Sequence, residues 1–510
     1  MATKTADSAR DELAPRPSSS GVFRSYINGK WSDAGAPGPA NTNPADTRDV
    51  LGHVQNASAE ETNRALEAAK NAFEEWRATP APTRAGYLWA IHKLITRDAR
   101  ELAAILTLEE GKVFGESLGE VQKSLNLIEF MAGEGRRIAG ETLPSEMPAT
   151  FCYTVRQPLG AVGLITPWNF PVAIPLWKVA PALVAGNTVV LKPATLTPWT
   201  AVRIVELFHE AGLPPGVLNL VIGRGSEVGD TIINHPDIKA VSFTGSNDVG
   251  AGLYAQGARR LLKVQCEMGG KNPVVVLEDA DLDLAVTGTA QGAFGSTGQR
   301  CTATSRAIVM DGIADEFVER LVAKGAAVVS GNGMRKGITM GPSVDEKQMK
   351  TVLDYIEIGK REGARLVSGG ARATGEELDH GFFVQPTIFD GVSPGMRIAQ
   401  EEIFGPVIAV IRVKTFEEAM EAANGVAFGL SSSIYSNDNA RIFRFLDRIE
   451  TGITHVNSPT MGGEAQLPFG GMKGTGVGPR EQGREAVQFY TELKTVYVDY
   501  TGRKRDTNIY

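Results

Sequence analysis

The sequence predicts an α/β protein built from two doubly wound units, and three observations carry that expectation. Short apolar runs of strand type alternate with helical patterns, and the alternation occurs in two separate series. At 510 residues the chain exceeds one ordinary core, so roughly two to four domains are expected. A composition of 42% hydrophobic and 22% charged residues is that of a globular protein able to bury such cores.

Residues 61–77, 86–110 and 118–137 place Ala, Glu and Leu at helical spacing. Residues 151–157 alternate as a strand, and 160–166 form a short apolar run of buried-strand type. Strand, helix and strand then follow at 189–192, 199–211 and 217–222, with a helix near 225–234 and a strand at 240–244. A second series opens with a strand at 274–277. It runs through a helix at 282–294 and a strand at 307–310 to a helix at 315–327. Residues 1–20 mix Ser, Pro, Ala and charge, which reads as a disordered tail.

Several function classes fall away on composition. A net charge of −7 argues against a nucleic-acid partner. No run of about 18 apolar residues exists to span a membrane. The N-terminus lacks the apolar stretch of a secretory signal. Cys152, Cys266 and Cys301 have no metal-ligand or CxxC spacing, so no metal site is expected. Free thiols point to a reducing, cytoplasmic compartment.

Cys301 stands among small residues on a glycine-punctuated stretch, and Glu267 sits 34 positions earlier beside the pair Gly269-Gly270. A thiol nucleophile and a mobile carboxylate base suffice for covalent acyl chemistry. Spacing alone fits a buried cysteine and an unrelated glutamate equally well. Two glycine-rich turns, 223–229 and 245–250, lead from strands into helices. Ordinary helix starts would look the same, although Phe243-Thr-Gly-Ser246 offers amides and a hydroxyl where a pyrophosphate is favoured.

Seven motifs in order resolve these alternatives: Thr-Pro-Trp-Asn-Phe-Pro (166–171), Leu-Lys-Pro (191–193), Phe-Thr-Gly-Ser (243–246), Glu-Met-Gly-Gly-Lys-Asn-Pro (267–273), Gly-Gln-Arg-Cys (298–301), Glu-Glu-Ile-Phe-Gly-Pro (401–406) and Pro-Phe-Gly-Gly (468–471). With them the chain resembles the aldehyde dehydrogenase superfamily from about residue 25 to residue 500. The resemblance implies a Rossmann-like cofactor domain (21–142 and 160–268), an α/β catalytic domain (269–482) and a small β oligomerisation arm (143–159 and 483–510). It implies a homo-oligomer, dimer or tetramer, paired through that arm.

The resemblance also assigns roles. Cys301 matches the nucleophile, Asn169 the side-chain donor of the oxyanion hole, and Glu267 the base that activates water against a thioester. Cys266 reads as a packed small hydrophobe. An NAD or NADP cofactor would be held by Thr166, Pro167, Trp168, Lys192, Thr195, Gly225, Gly229, Phe243, Thr244, Gly245, Ser246, Val249, Gly269, Glu402 and Phe404, with Glu267 alongside. One departure stands out. The family commonly has Lys-Pro-Ser-Glu where this chain has Lys192-Pro-Ala-Thr195. Loss of that carboxylate removes repulsion toward a 2′-phosphate, and Thr195 and Arg224 are available to bind one, which slightly favours NADP.

Substrate signals are sparser. Succinate-semialdehyde relatives carry an arginine at the position of Trp177, so Arg300 is the candidate carboxylate anchor, with Trp177 and Thr302 as further pocket residues. Stretches 295–306, 457–469 and 480–485 resemble the 2-oxoglutarate-semialdehyde (2,5-dioxopentanoate) dehydrogenase branch. Neighbouring branches oxidise succinate semialdehyde, glycolaldehyde or aromatic aldehydes. A cysteine esterase is the rival class, and Lys192, Ser246 and Glu402, for which a hydrolase has no use, argue against it.

Overall fold

A computed structural model describes residues 13–14, 16–17, 21–33 and 38–504. Its first sheet has eight strands in the order Gly476–Val477, Lys263–Glu267, Ile238–Thr244, Ala161–Ile165, Thr188–Lys192, Leu218–Leu220, Tyr26–Ile27 and Lys30–Trp31. The five strands from Lys263–Glu267 to Leu218–Leu220 are mutually parallel. Every residue of Ala161–Ile165 and of Thr188–Lys192 is buried. Helices on both faces explain why these strands read as apolar runs without alternation.

The second sheet has seven strands, ordered Arg365–Ser368, Thr387–Asp390, Val407–Val413, Thr304–Met310, Asn272–Val276, Ser431–Tyr435 and Ile453–Val456. Only its first pair is antiparallel. Two doubly wound units are therefore present, as the strand–helix alternation predicts.

Local chemistry sets the helix ends. Ser58 starts the helix Ala59–Ala78 by accepting from the Glu61 N–H, while Glu61 reaches back to the Ser58 N–H. The helix expected over 86–110 is two helices, Ala81–Arg97 and Ala99–Glu110. Asp98 leaves helical geometry between them, and its carboxylate takes Arg97 and Arg203. The helix expected over 225–234 is likewise divided, into a wide turn Gly225–Gly229 and Asp230–Asn234.

The arm is a three-stranded antiparallel sheet ordered Thr491–Asp499, Thr150–Pro158, Thr142–Leu143. Thr491–Asp499 pairs over nine residues with Thr150–Pro158 of its own chain. It is one of the two edge strands of this sheet among the described residues, and Leu493, Tyr497 and Val498 on it are exposed.

One strand departs from the expected division of the chain. Gly476–Val477, inside the stretch assigned to the catalytic unit, pairs with Lys263–Glu267 and covers the edge of the first sheet. Most of residues 1–20 lies outside the described residues. Within that segment the Leu13 N–H donates to the Met334 carbonyl and Arg16 pairs with Asp49. All three cysteines are free. Among the described residues no helix is long and apolar enough to cross a membrane.

Candidate active site

Four parallel strands of the first sheet end along one edge. Register pairs Ile165 with Lys192, Phe243 with Ile165, and Thr244 with Glu267. Thr166, Lys192, Thr244 and Glu267 are thereby gathered at the carboxyl ends of the strands, where open α/β sheets bind ligands. A cleft opens there. Pro167, Trp168, Asn169, Thr244, Gly245 and Ser246 line one side, and Cys301, Glu402 and Phe404 line the other. A second cavity is lined by Gly225, Gly229, Phe243 and Val249.

Cys301 is delivered by a strained loop. After the helix Leu282–Phe294 the chain turns through Ser296 (φ 48°), Thr297 (φ 58°) and Gly298 (φ 67°). Left-handed backbone costs a non-glycine residue about 1–2 kcal/mol, so the loop needs restraints. Glu116 accepts from the Ser296 N–H at 2.8 Å, and the Thr297 hydroxyl donates to the Gly341 carbonyl at 2.9 Å. Any side chain on Gly298 would collide with the Gly405 carbonyl.

Burial pushes the Cys301 thiol up to about 12, and Glu402 and Glu267 push in the same direction, while Lys123 and the Thr302 N–H act the other way. The thiol is therefore protonated at rest. The Asn169 amide donates to the Gln299 carbonyl at 3.0 Å, two residues before the sulfur. The Asn169 carbonyl in turn accepts from the Lys112 ammonium at 2.7 Å.

Glu267 is buried at the end of its strand, and one carboxylate oxygen has no partner. Burial first, and then Glu481, hold its carboxyl well above the ordinary range; Lys178, Arg480 and the Gly471 N–H offset this. A side chain at Gly470 would meet that carboxylate, so the missing side chain leaves it space. Cys266 is buried in an apolar cluster and its thiol donates to the Gly250 carbonyl at 3.6 Å, as a packing residue would.

Most of the residues expected to hold a nicotinamide dinucleotide line this cleft or the second cavity. Thr166 and Thr244 carry buried hydroxyls that have no hydrogen-bond partner among the described residues. Lys192 is buried, donates to the Pro193 carbonyl at 3.0 Å, and is lowered by burial to about 8. Glu402 accepts from the Gly270 N–H at 2.9 Å and is raised by burial to about 7. A Cβ at Gly269 would strike the Glu402 carboxylate, so glycine there lets the carboxylate keep its place. Phe404 is held at φ 58°, its carbonyl accepting from Gln348, with its ring edge-on to Trp168 at 5.4 Å. Such a set suits ribose hydroxyls, a pyrophosphate and a flat ring. Thr195 is half-buried and Arg224 exposed at the turn before Gly225.

The substrate residues fare differently. The Arg300 guanidinium is already held by Glu116 at 3.0 Å, by the Ser296 hydroxyl and by the Met461 sulfur. Its charge is neutralised within the chain. Trp177 is buried against Phe469 at 5.5 Å, and among the described residues its indole N–H has no hydrogen-bond partner. Thr302 is buried, and its N–H reaches the Cys301 sulfur.

Sequence reasoning missed Lys112, Glu120, Lys123 and Gln348. Lys112 pairs with Glu120, and the other Glu120 oxygen accepts from the Val172 and Ala173 N–H groups, anchoring the start of the helix Ala173–Ala185. The Glu120 contacts with Val172 and Ala173 cross 52 and 53 residues of chain and leave no local pattern.

Residues 31–496 match the aldehyde dehydrogenase family. The chain belongs to that family. It is 46% identical to the α-ketoglutaric semialdehyde dehydrogenase of Bacillus subtilis over 94% of this chain and 98% of that one. The betaine aldehyde dehydrogenase of Staphylococcus aureus, solved in complex with NAD+, superposes with a TM-score of 0.92 at 34% identity, covering 94% of this chain and 95% of that one. An NADP-dependent enzyme of Escherichia coli gives 0.90 at 37% identity, covering 97% and 100%. As an aldehyde dehydrogenase the protein is an oxidoreductase that uses a nicotinamide nucleotide, and its α/β fold is that of the family.

Proposed function

We propose that the protein oxidises 2-oxoglutarate semialdehyde to 2-oxoglutarate. The observation that carries the chemistry is that Cys301 opens into the same cleft as Thr244, Ser246 and Glu402. The Cys301 thiolate attacks the aldehyde carbon to give a thiohemiacetal. Asn169 and the Cys301 N–H stabilise the oxyanion, a donor typically worth about 10²–10³ in rate. Bound nicotinamide supplies the hydride acceptor, and a thioester remains on the cysteine. Glu267, whose free oxygen and raised carboxyl suit a base, deprotonates the water that hydrolyses it. Lys192, Ser246 and Glu402 hold the nucleotide.

The substrate reading is supported by the three sequence stretches of that branch and by the 46% identity to a relative named for α-ketoglutaric semialdehyde. Assay of the purified protein with 2-oxoglutarate semialdehyde, succinate semialdehyde, glycolaldehyde and an aromatic aldehyde tests it. The first should give the highest kcat/KM; a higher value for any other displaces it.

NADP is the favoured nucleotide. Ala194-Thr195 puts no carboxylate beside the adenosine ribose, and Arg224 stands exposed near the turn that opens the second cavity. A strong NAD preference in kcat/KM would sink this. The open edge of Thr491–Asp499, with its exposed apolar residues, supports a homodimer or tetramer, and three free thiols support a cytoplasmic location.

A further inference from the structure

The helix Phe114–Glu134 presents Glu116, Glu120 and Lys123 at spacings of four and three, on one face toward the catalytic loops. Glu116 neutralises Arg300, and Glu120 neutralises Lys112. Lys123 is different. Among the described residues no hydrogen bond or ion pair involves its ammonium. That ammonium lies 5.2 Å from the ring centre of Trp177 and 5.7 Å from that of Phe469. Cys301 lies within its electrostatic reach, and burial holds its pKa below the ordinary lysine range. It also lines an open cavity of about 820 Å³ between this helix and residues 463–466. A half-buried cation standing over two aromatic faces, beside the unpartnered Trp177 N–H, lacks an anion.

We propose that Lys123, assisted by the Trp177 indole N–H, is the specificity residue that takes the far carboxylate of an anionic semialdehyde while its aldehyde meets Cys301. This deepens, and rests on, the reading of the substrate as a semialdehyde acid. Arg300 cannot serve in its place without giving up Glu116. Lys123 has no such partner to give up among the described residues.

The test compares 2-oxoglutarate semialdehyde with pentanal, and succinate semialdehyde with butanal, in the wild-type protein and in Lys123→Met and Lys123→Arg. Loss of a charge-assisted hydrogen bond should lower kcat/KM of Lys123→Met for the acids about 10–100-fold more than for the neutral aldehydes, chiefly through KM. Lys123→Arg should recover most of that selectivity. An equal loss on both classes, or an unchanged ratio, overturns the assignment. The substrate reading is judged separately, on the wild type alone. If succinate semialdehyde is preferred, that reading falls while the second pair still decides Lys123; no preference for either acid overturns both. Should Lys123→Met not fold, Trp177→Phe, which deletes the indole N–H and keeps an aromatic ring, is read the same way. Its acid selectivity must fall, or the assignment fails.

Discussion

Asn169 donates its side-chain N–H to the carbonyl of Gln299 at 3.0 Å, tying the loop from the first sheet to the loop that carries Cys301. The donor is thus held next to the sulfur before any substrate arrives. Asn169→Ala should lower kcat by about 10²–10³ while nucleotide binding stays near wild type. A single-turnover measurement with unchanged rate would remove Asn169 from the oxyanion site.

Cys301→Ala should abolish dehydrogenation and leave nucleotide affinity near wild type, because the sulfur makes the covalent bond and the nucleotide is held by other residues. Glu267→Gln should still give a burst of reduced cofactor and then stall at the thioester, its steady-state rate down by about 10²–10⁴. Hydride transfer precedes hydrolysis, so rapid mixing separates the two. Full steady-state turnover by Glu267→Gln would show that the base is wrong.

Two shifts set the pH response of the free protein. With the Cys301 thiol pushed up to about 12, only the small thiolate fraction reacts, and that fraction rises tenfold per pH unit below the pKa. Inactivation by iodoacetamide should therefore climb steadily from pH 7 to pH 10. A plateau near neutrality would contradict the shift. Glu267 acts as a base only when ionised, and burial favours its neutral form. Deacylation should accordingly fall as pH drops, with the fall beginning above the ordinary carboxylate range; a limb near pH 4 would mean the carboxyl is not raised.

Gly269→Ala places a methyl group against the Glu402 carboxylate. Glu402 must then leave its bond with the Gly270 N–H, and the ribose loses its acceptor. We expect KM for the nucleotide to rise about tenfold or more with little change in thermal stability. An unchanged KM would separate Glu402 from nucleotide binding.

Truncation after Arg484 removes Thr491–Asp499 and strips the partner from Thr150–Pro158. The exposed strand should leave the protein insoluble, or monomeric and inactive. Light scattering that finds an active monomer, full-length or truncated, would overturn the oligomer reading.

The α/β class and the two strand–helix series were legible in the chain alone, and the family resemblance singled out Cys301, Glu267 and Asn169 as the proposed catalytic set. Buried parallel strands must be apolar along their whole length, and glycines must stand where backbone turns left-handed or a carboxylate crowds in, so both leave local marks. How charges far apart in the chain pair depended on the folded arrangement. Glu116 closes on Arg300 from 184 residues away, which occupies the expected anchor, while Lys123 on the same helix has no ion pair among the described residues. Likewise Gly476–Val477 crosses to the first sheet because an open edge there had to be covered. Side chains meeting across such distances obey no period in the chain, and their partners become visible only once the sheets have brought them together.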